Sequence, residues 1–395
     1  MTAVRYVGLD IHKRHVTVAA VDEQQQVVLA PVKVAVERFG AWAAQHLQAT
    51  DSVALEATTN SWEFHDELSP LVHQVAVANS FQLKLISSSG RKTDKHDALV
   101  LAKLLAAKLL PTVWVPPQHV RDLRALTSHR AELIGERTAL RNRLHRLLHA
   151  HNLNLPSGQP FSAANEQWWT TLPLSPVECL QVRHFWLSLH HLDALIEDTE
   201  ACIAQQSATQ PWNELMTFVL QLPGIGLYTG MTILAAIGDI ARFPSAQQLV
   251  GYAGLGARIR ASGDVKHTGK ISKQGRRELR TTLVTVAWSA VRWSPYWRDL
   301  FHAFSKRLGK PKAITAIARK ILVVIWHVLS KRELDRHASP AAIARSLMTW
   351  SSQHHLARSQ STRRLDFVRQ RLDLLGVLQD ISTFRANGRA HAIAT

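Results

Sequence analysis

The sequence predicts a mixed α/β amino-terminal domain, then a long helical hairpin, then a mostly helical carboxy-terminal part. Three observations carry this. Residues 5 to 22 read as strand, turn and strand, with a carboxylate, Asp10, at the end of the first strand. Strand and helix patterns alternate up to about residue 110, and leucines recur every seven residues from Leu126 to Leu147. At 395 residues the chain can bury two or three cores. Its 47 Lys and Arg against 30 Asp and Glu give a formal charge of +17, which favours polyanions and above all nucleic acid. No uninterrupted apolar run reaches the roughly 18 residues of a spanning helix, so no membrane partner is expected. The start Met-Thr-Ala-Val-Arg-Tyr passes straight into a strand, so a cytoplasmic protein is expected. Two cysteines, Cys179 and Cys202, are too few for a disulfide framework or a cysteine-rich zinc site; both are expected as buried thiols on a helix.

Each element has its own signal. Apolar, β-branched residues run from Val4 to Leu9, a polar turn covers His12 to Arg14, and alternation resumes from His15 to Val21. A third strand is expected over Val27 to Val34, a helix over Val36 to Gln48 and a fourth strand over Ser52 to Glu56. A helix over Trp62 to Leu68 and a short strand over Val75 to Ala78 follow, and helical spacing returns from Thr93 to Leu109. Three strands in hairpin sequence, continued by strands alternating with helices, is the ribonuclease-H-like order. That domain is placed over residues 1–115.

Asp10 is the element of interest because a buried carboxylate is costly unless paired or bound to metal. Ribonuclease-H-like nucleases hold Mg²⁺ on such a residue. Sugar kinases and actin-like ATPases open with a similar Gly-x-Asp strand, and a strand-end Asp also caps ordinary turns, so this stretch alone does not choose. Glu56 ends the fourth strand as Asp10 ends the first, and neighbouring parallel strands bring their ends together. Asp94 and Asp97 lie three apart at a helix start and can share a face, although acids are favoured in a first turn whatever their function. Two divalent ions need several oxygen ligands at once; it is the set of four acids that points to metal-assisted nuclease chemistry.

The blocks Gly8-Leu-Asp-Ile-His-Lys13, Leu55-Glu-Ala57 and Lys92-Thr-Asp-Lys-His-Asp97 resemble those of the DEDD transposases of bacterial insertion sequences. The resemblance implies a RuvC-like nuclease domain with Asp10, Glu56, Asp94 and Asp97 as Mg²⁺ ligands. It also implies DNA as the substrate (element ends and target), a bridge RNA as guide in some members, assembly as a homodimer or homotetramer, and action at the prokaryotic nucleoid.

Residues 118–207 are expected to form the helical hairpin. Leu126, Leu133, Leu140 and Leu147 keep seven-residue spacing, Leu123 and Leu144 sit at the alternating offset, and Arg130 and Arg137 take the two positions between them. Arg121, Arg124, Arg141, Arg143 and Arg146 lie on the polar sides. They read either as a solvated basic face or as a surface tracking phosphates, the latter giving Arg124, Arg141, Arg143 and Arg146 as nucleic-acid contacts. A linker with Pro156, Ser157, Gly158 and Pro160 and the exposed-looking pair Trp168 and Trp169 leads to a second helix over Pro176 to Gln206. In the resembling family this region is a coiled coil used for assembly.

Residues 212–335 are placed as one domain. Leu222-Pro-Gly-Ile-Gly226 has the form of a helix-hairpin-helix, in which Gly224 and Gly226 would offer backbone N–H groups to a phosphate; a plain interhelical turn is equally compatible. Next come Arg258, Arg260, Lys266, Lys270, Lys273, Arg276 and Arg277, interleaved with glycines, a composition suited to handling phosphate. A serine beside a glycine in that setting is either a nucleophile or a turn residue. The resembling family has its reactive serine before a glycine, followed by a Gly-x-Ile-x-Lys-x-Gly segment; Gly269-Lys-Ile-Ser-Lys-Gln-Gly275 fits, and Ser262 is the matching serine, with Ser272 the nearest competitor. Helices are expected over Thr281 to Arg292, Tyr296 to Leu308 and Lys312 to Leu329, the last a core helix. Residues 338–395 are Arg-rich and lack Lys, with one amphipathic run from Leu365 to Leu378; they read as a partner-binding appendage or a partly disordered tail.

The combined expectation is a DNA recombinase in which Ser262 attacks a phosphodiester with Mg²⁺ assistance. Two rivals stay open: a metal-only, junction-resolving endonuclease, and a non-enzymatic nucleic-acid-binding protein on a nuclease fold.

Overall fold

The computed structural model of the protein describes residues 4–86, 93–262, 265–386 and 388–393, with side chains described except at 259–268. The chain divides into two compact units, Met1–Pro117 and Gln118–Thr395.

The first unit is a five-stranded sheet with helices on both faces. Its strands are β1 (Tyr6–Ile11), β2 (His15–Val21), β3 (Val27–Ala35), β4 (Ser52–Glu56) and β5 (Gln74–Ala78); its helices are α1 (Val36–His46), α2 (Ser61–Leu68), α3 (Ser80–Ile86) and α4 (Asp94–Ala106). The sheet order is β3-β2-β1-β4-β5. β1 and β2 pair antiparallel, as do β2 and β3, while β1–β4 and β4–β5 are parallel, which is the arrangement the element order predicts. Period-two alternation sorts the side chains. Leu9, Leu55, Val16 and Val18 join Phe39, Phe64 and Leu68 in the core under α1 and α2, so Gly8, Asp10, Ala54 and Glu56 point to the other face. There α4 lies so close on β1 that a Cβ at Gly8 would collide with the Ala98 carbonyl; glycine is what lets helix and strand meet. The helix α3 carries no signal strong enough to have been expected, since only Leu83 of its seven residues is buried.

In the second unit, α5 (Gln118–Ala150) and α7 (Pro176–Ser207) form the hairpin, with the short α6 (Glu166–Thr170) between them. Trp169, expected exposed, is 1% exposed. It packs with Phe161 and Trp186 and donates its indole N–H to the Pro160 carbonyl at 2.8 Å. Cys179 is half-buried and Cys202 exposed, so neither is the fully buried thiol expected. The chain continues through α8 (Trp212–Val219), α9 (Leu227–Ile237), α10 (Ala246–Tyr252), the two-stranded β6 (Ala257–Ser262) and β7 (Val265–Ile271), then α11 (Arg277–Trp293), α12 (Pro295–Leu308) and α13 (Lys310–Lys331). By length and composition α13 could cross a membrane, but Ile314, Ile317, Ile321, Ile325 and Leu329 are buried inside the unit, as a core helix requires.

Of the two readings of residues 338–395, a partner-binding appendage or a partly disordered tail, the described residues do not fit the second, since they fold into regular elements. They form α14 (Pro340–Ser352), α15 (Leu356–Ser359), α16 (Arg364–Leu374) and the hairpin β8 (Thr383–Ala386) and β9 (Arg389–Ala392). Trp350 and Phe367 are fully buried against each other, and the Trp350 indole donates to Ser207 Oγ at the end of α7 at 2.9 Å. Those anchors are spread over separate elements, so no local periodicity announces them.

Candidate active site

β1 runs toward its carboxyl end through Leu9 opposite Leu55 of β4, and continuing that register brings Asp10 beside Glu56 on the face covered by α4. The helix starts at that end: Thr93 caps it, accepting from the His96 N–H, and Asp94 and Asp97 occupy its first turn. His12 Nε2 bridges two of the acids, Asp10 and Asp94. Burial pushes the Asp10 carboxyl above its usual value, His12 opposes this, and the charges of Asp97 and Asp94 push it further up. Two of the expected acids, Asp94 and Asp97, therefore bear on a third, Asp10. Glu56 joins them by register and face alone.

Four groups not predicted for the site surround Asp94 and Asp10. Lys33 Nζ lies 2.6 Å from Asp94 Oδ2, and His15 Nε2 lies 3.2 Å from the same oxygen. His12 Nε2 stands 3.0 Å from Asp10 Oδ2 and 3.4 Å from Asp94 Oδ1. Hydrogen bonds from Lys33 and His15 hold the Asp94 carboxyl well below the usual carboxylate range. Register explains the reach of Lys33: Asp10 pairs with Thr17 and Thr17 with Lys33, so all three share the α4 face. Thr17 is the fourth group, fully buried, and its hydroxyl finds no hydrogen-bond partner among the described residues. The available signal was the spacing Asp10, His12, His15 around a hairpin turn.

The other expected contacts divide. Arg124 is not an exposed phosphate contact: its guanidinium donates to the Ala235 and Ala236 carbonyls at 2.8 and 3.1 Å, and burial, then Arg276 and Arg242, push it down to about 10. Arg276 donates to the Tyr252 hydroxyl at 3.0 Å. Burial alone would raise that phenol, but Arg276, Arg242 and Arg124 outweigh it and hold it below its ordinary value. Arg141 lies over Phe161 and Arg143 over Phe185; Arg143 and Arg146 are exposed, as are Lys270, Lys273 and Arg277. Arg258, also exposed, donates to the Ser272 carbonyl at 3.1 Å. Gly224, with φ +88°, is needed for packing, since a Cβ there would meet the α11 backbone at Val286 and Ala290; Gly226 is exposed at the N-cap of α9. Ser262 ends β6, opposite Val265. Its side chain, like those of Arg260 and Lys266, lies outside the described residues, as does Lys92.

Clustered acids at a strand end and a helix start, in a strongly basic chain, suit an enzyme acting on nucleic acid, and comparison with known proteins gives the class: transposases, which cut and rejoin DNA. A DEDD transposase model of the IS110 type matches residues 7–152, and one for the transposase IS116/IS110/IS902 family matches residues 216–302. The chain belongs to this IS110-type DEDD transposase family. Its similarity extends to a transposase for insertion sequence element IS1111A of Coxiella burnetii, 29% identical over 62% of this chain and 68% of the relative. It is also similar to a pilin gene-inverting protein of Moraxella bovis, 28% identical over 84% of this chain and 98% of the relative, and to a putative transposase of Sinorhizobium fredii, 27% identical over 60% and 55%.

Proposed function

We propose that the protein is a site-specific DNA recombinase of an insertion sequence, with a ribonuclease-H-like first unit and a serine nucleophile in the second. One observation carries the metal part of the reading: Asp10 and Asp94 both reach His12 Nε2, at 3.0 and 3.4 Å, with Asp97 in the same helix turn as Asp94, so like charges gather at one strand end. Such repulsion is relieved by a divalent cation, and hard oxygen donors from Asp10, Glu56, Asp94 and Asp97 suit Mg²⁺. When bound, that ion supplies charge stabilisation to the phosphoryl oxygens.

The chain's own part is the covalent step. Ser262 Oγ forms a bond to phosphorus and gives up its proton, the ester bond to one deoxyribose oxygen breaks, and that oxygen leaves as a hydroxyl after taking up a proton. The phosphoserine ester keeps the bond energy, so attack by a second hydroxyl rejoins a strand and frees the serine. The basic block from Arg258 to Arg277 would hold the phosphate and the exposed arginines of α5 the flanking backbone. In this reading residues 118–207 are the coiled-coil assembly element, 212–335 the serine domain and 338–395 an appended structural module. A guide RNA and a homodimer or homotetramer complete it, in the prokaryotic cytoplasm at the nucleoid.

The test is a denaturing gel of a stalled reaction on element ends, with Mg²⁺ and with or without cellular RNA. Serine attack leaves a slower, nuclease-sensitive protein band. Ser262→Ala removes that band and drops strand cleavage to background while DNA binding stays close to normal, and Ser272→Ala keeps it. Strand cutting by the wild type without any adduct would establish the metal-only resolvase instead.

A further inference from the structure

The four-acid reading leaves His12 and His15 unused, yet both stand against one of its ligands. His12 Nε2 is 3.4 Å from Asp94 Oδ1 and His15 Nε2 is 3.2 Å from Asp94 Oδ2, and one donor atom from each of the three groups lies within 4.8 Å of the others. Each imidazole reaches a different oxygen of Asp94, at a distance close to the roughly 3.4 Å that separates donors bound at about 2.1 Å to one tetrahedral ion, and a carboxylate can offer both of its oxygens to one ion. The two imidazoles lie side by side, ring centroids 4.9 Å apart and 30° from parallel. A cation is already drawn to the place: Lys33 Nζ is 2.6 Å from Asp94 Oδ2 and 3.4 Å from His15 Nε2. Lys33 is half exposed on β3, the edge strand of the sheet, so its ammonium can swing away without disturbing the core.

We infer that His12, His15 and Asp94 form a metal site of mixed nitrogen and oxygen donors, beside the oxygen donors Asp10, Glu56 and Asp97, and that Lys33 fills it in the metal-free protein. Imidazole donors favour borderline transition ions over Mg²⁺, so the site would take Mn²⁺, Co²⁺ or Zn²⁺. The inference rests on the reading of Asp94 as a metal ligand. It has a consequence for the neighbouring set: His12 Nε2 sits 3.0 Å from Asp10 Oδ2, and a nitrogen that gives its lone pair to an ion cannot donate a proton to a carboxylate. Occupation of the site therefore releases Asp10 toward the oxygen ligands and couples the two positions.

The experiment is a Mn²⁺ titration of the full-length protein with pulsed electron paramagnetic resonance. The expected spectrum of bound Mn²⁺ shows nitrogen coupling from imidazole, which the double variant His12→Ala/His15→Ala loses. That variant should bind Mn²⁺ at least about tenfold more weakly while still binding Mg²⁺, and Lys33→Met, which removes the resident cation, should bind Mn²⁺ more tightly than the wild type. Bound Mn²⁺ without nitrogen coupling in the wild type would overturn the inference and leave the four-acid reading standing. Mg²⁺ binding that survives Asp10→Asn together with Glu56→Gln, with the nitrogen coupling intact, would overturn the four-acid reading alone. Binding of neither ion would overturn both.

Discussion

Asp94 is the residue on which the first unit's chemistry converges, because a lysine, two histidines and two further acids all act on it or beside it. Asp94→Asn keeps the shape but removes the charge, so strand cleavage should vanish while the thermal melt stays near that of the wild type; full activity in this variant, or in excess EDTA, would remove the nuclease assignment. A different acid tests structure. Asp51 is fully buried, held by Arg5 through Nε at 2.9 Å and Nη2 at 2.6 Å, and it accepts the Gln48 N–H. Arg5→Met would strand that carboxylate, and a buried charge robbed of its partner costs about 3 kcal/mol. Urea unfolding of the variant should show a loss of that order; a change below about 1 kcal/mol would mean the pair is effectively solvated. Asp10 and Glu56 were legible because a carboxylate ending an apolar strand is visible in the sequence alone. Lys33 was not, since only the β1–β2–β3 register puts it across from Asp10.

The hairpin of α5 and α7 shows what the heptad leaves out. Arg130 and Arg137 interrupt the leucine seam, and each meets an acid of α7: Arg130 Nε is 2.7 Å from Glu200 Oε1 and Arg137 Nη1 is 3.0 Å from Asp193 Oδ1. Glu200 and Asp193 are themselves one heptad apart, so the antiparallel register is written in charge as well as in leucine. The spacing exposes the arginines, but their partners cannot be found until the two helices are aligned. Reversing one charge, Arg137→Asp, should cost about 1 kcal/mol and Asp193→Arg in the same chain should restore most of it; no recovery in the double variant would show that the pair does not set register. The closed end of the hairpin is sensitive to acid. His151, Ser175 and the Ser175 N–H all bond Glu178, and these bonds hold its carboxyl down to about 2 from an ordinary 4.5. A depressed carboxyl stabilises the fold fully above pH 4.5 and loses that contribution as pH falls toward 2. Stability of the wild type should therefore fall below pH 4.5 more steeply than that of Glu178→Gln, which has no such proton to take up; parallel curves would refute the assignment.

Over the whole molecule the charge of +17 predicts polyanion binding, but not which cations do it. The structure separates the exposed cations from the buried ones. Burial was the missing information: Arg124 sits in the same basic run as Arg143 and Arg146, yet it serves the carboxyl end of α9, where Arg242 also donates to the Ile237 carbonyl at 2.9 Å. The packing of the final residues was hidden for a related reason, because an Arg-rich composition masks the buried Trp350 and Phe367 that fasten them. These differences give opposite predictions for arginines in one helix. If Arg143 and Arg146 contact phosphates, replacing both with alanine releases roughly two fewer counterions, and the slope of log K against log salt should flatten by about 1.8. Melting should stay unchanged, because both side chains are exposed. Arg124→Ala should do the reverse, lowering the melting temperature through the carbonyls left without a donor while the salt slope holds. Binding to duplex DNA measured across a salt series, beside a thermal melt of each variant, tests both halves. A slope unchanged by the Arg143 and Arg146 replacements would return that face of α5 to plain solvation, and a slope flattened by Arg124→Ala would show that its guanidinium leaves the helix end to reach DNA.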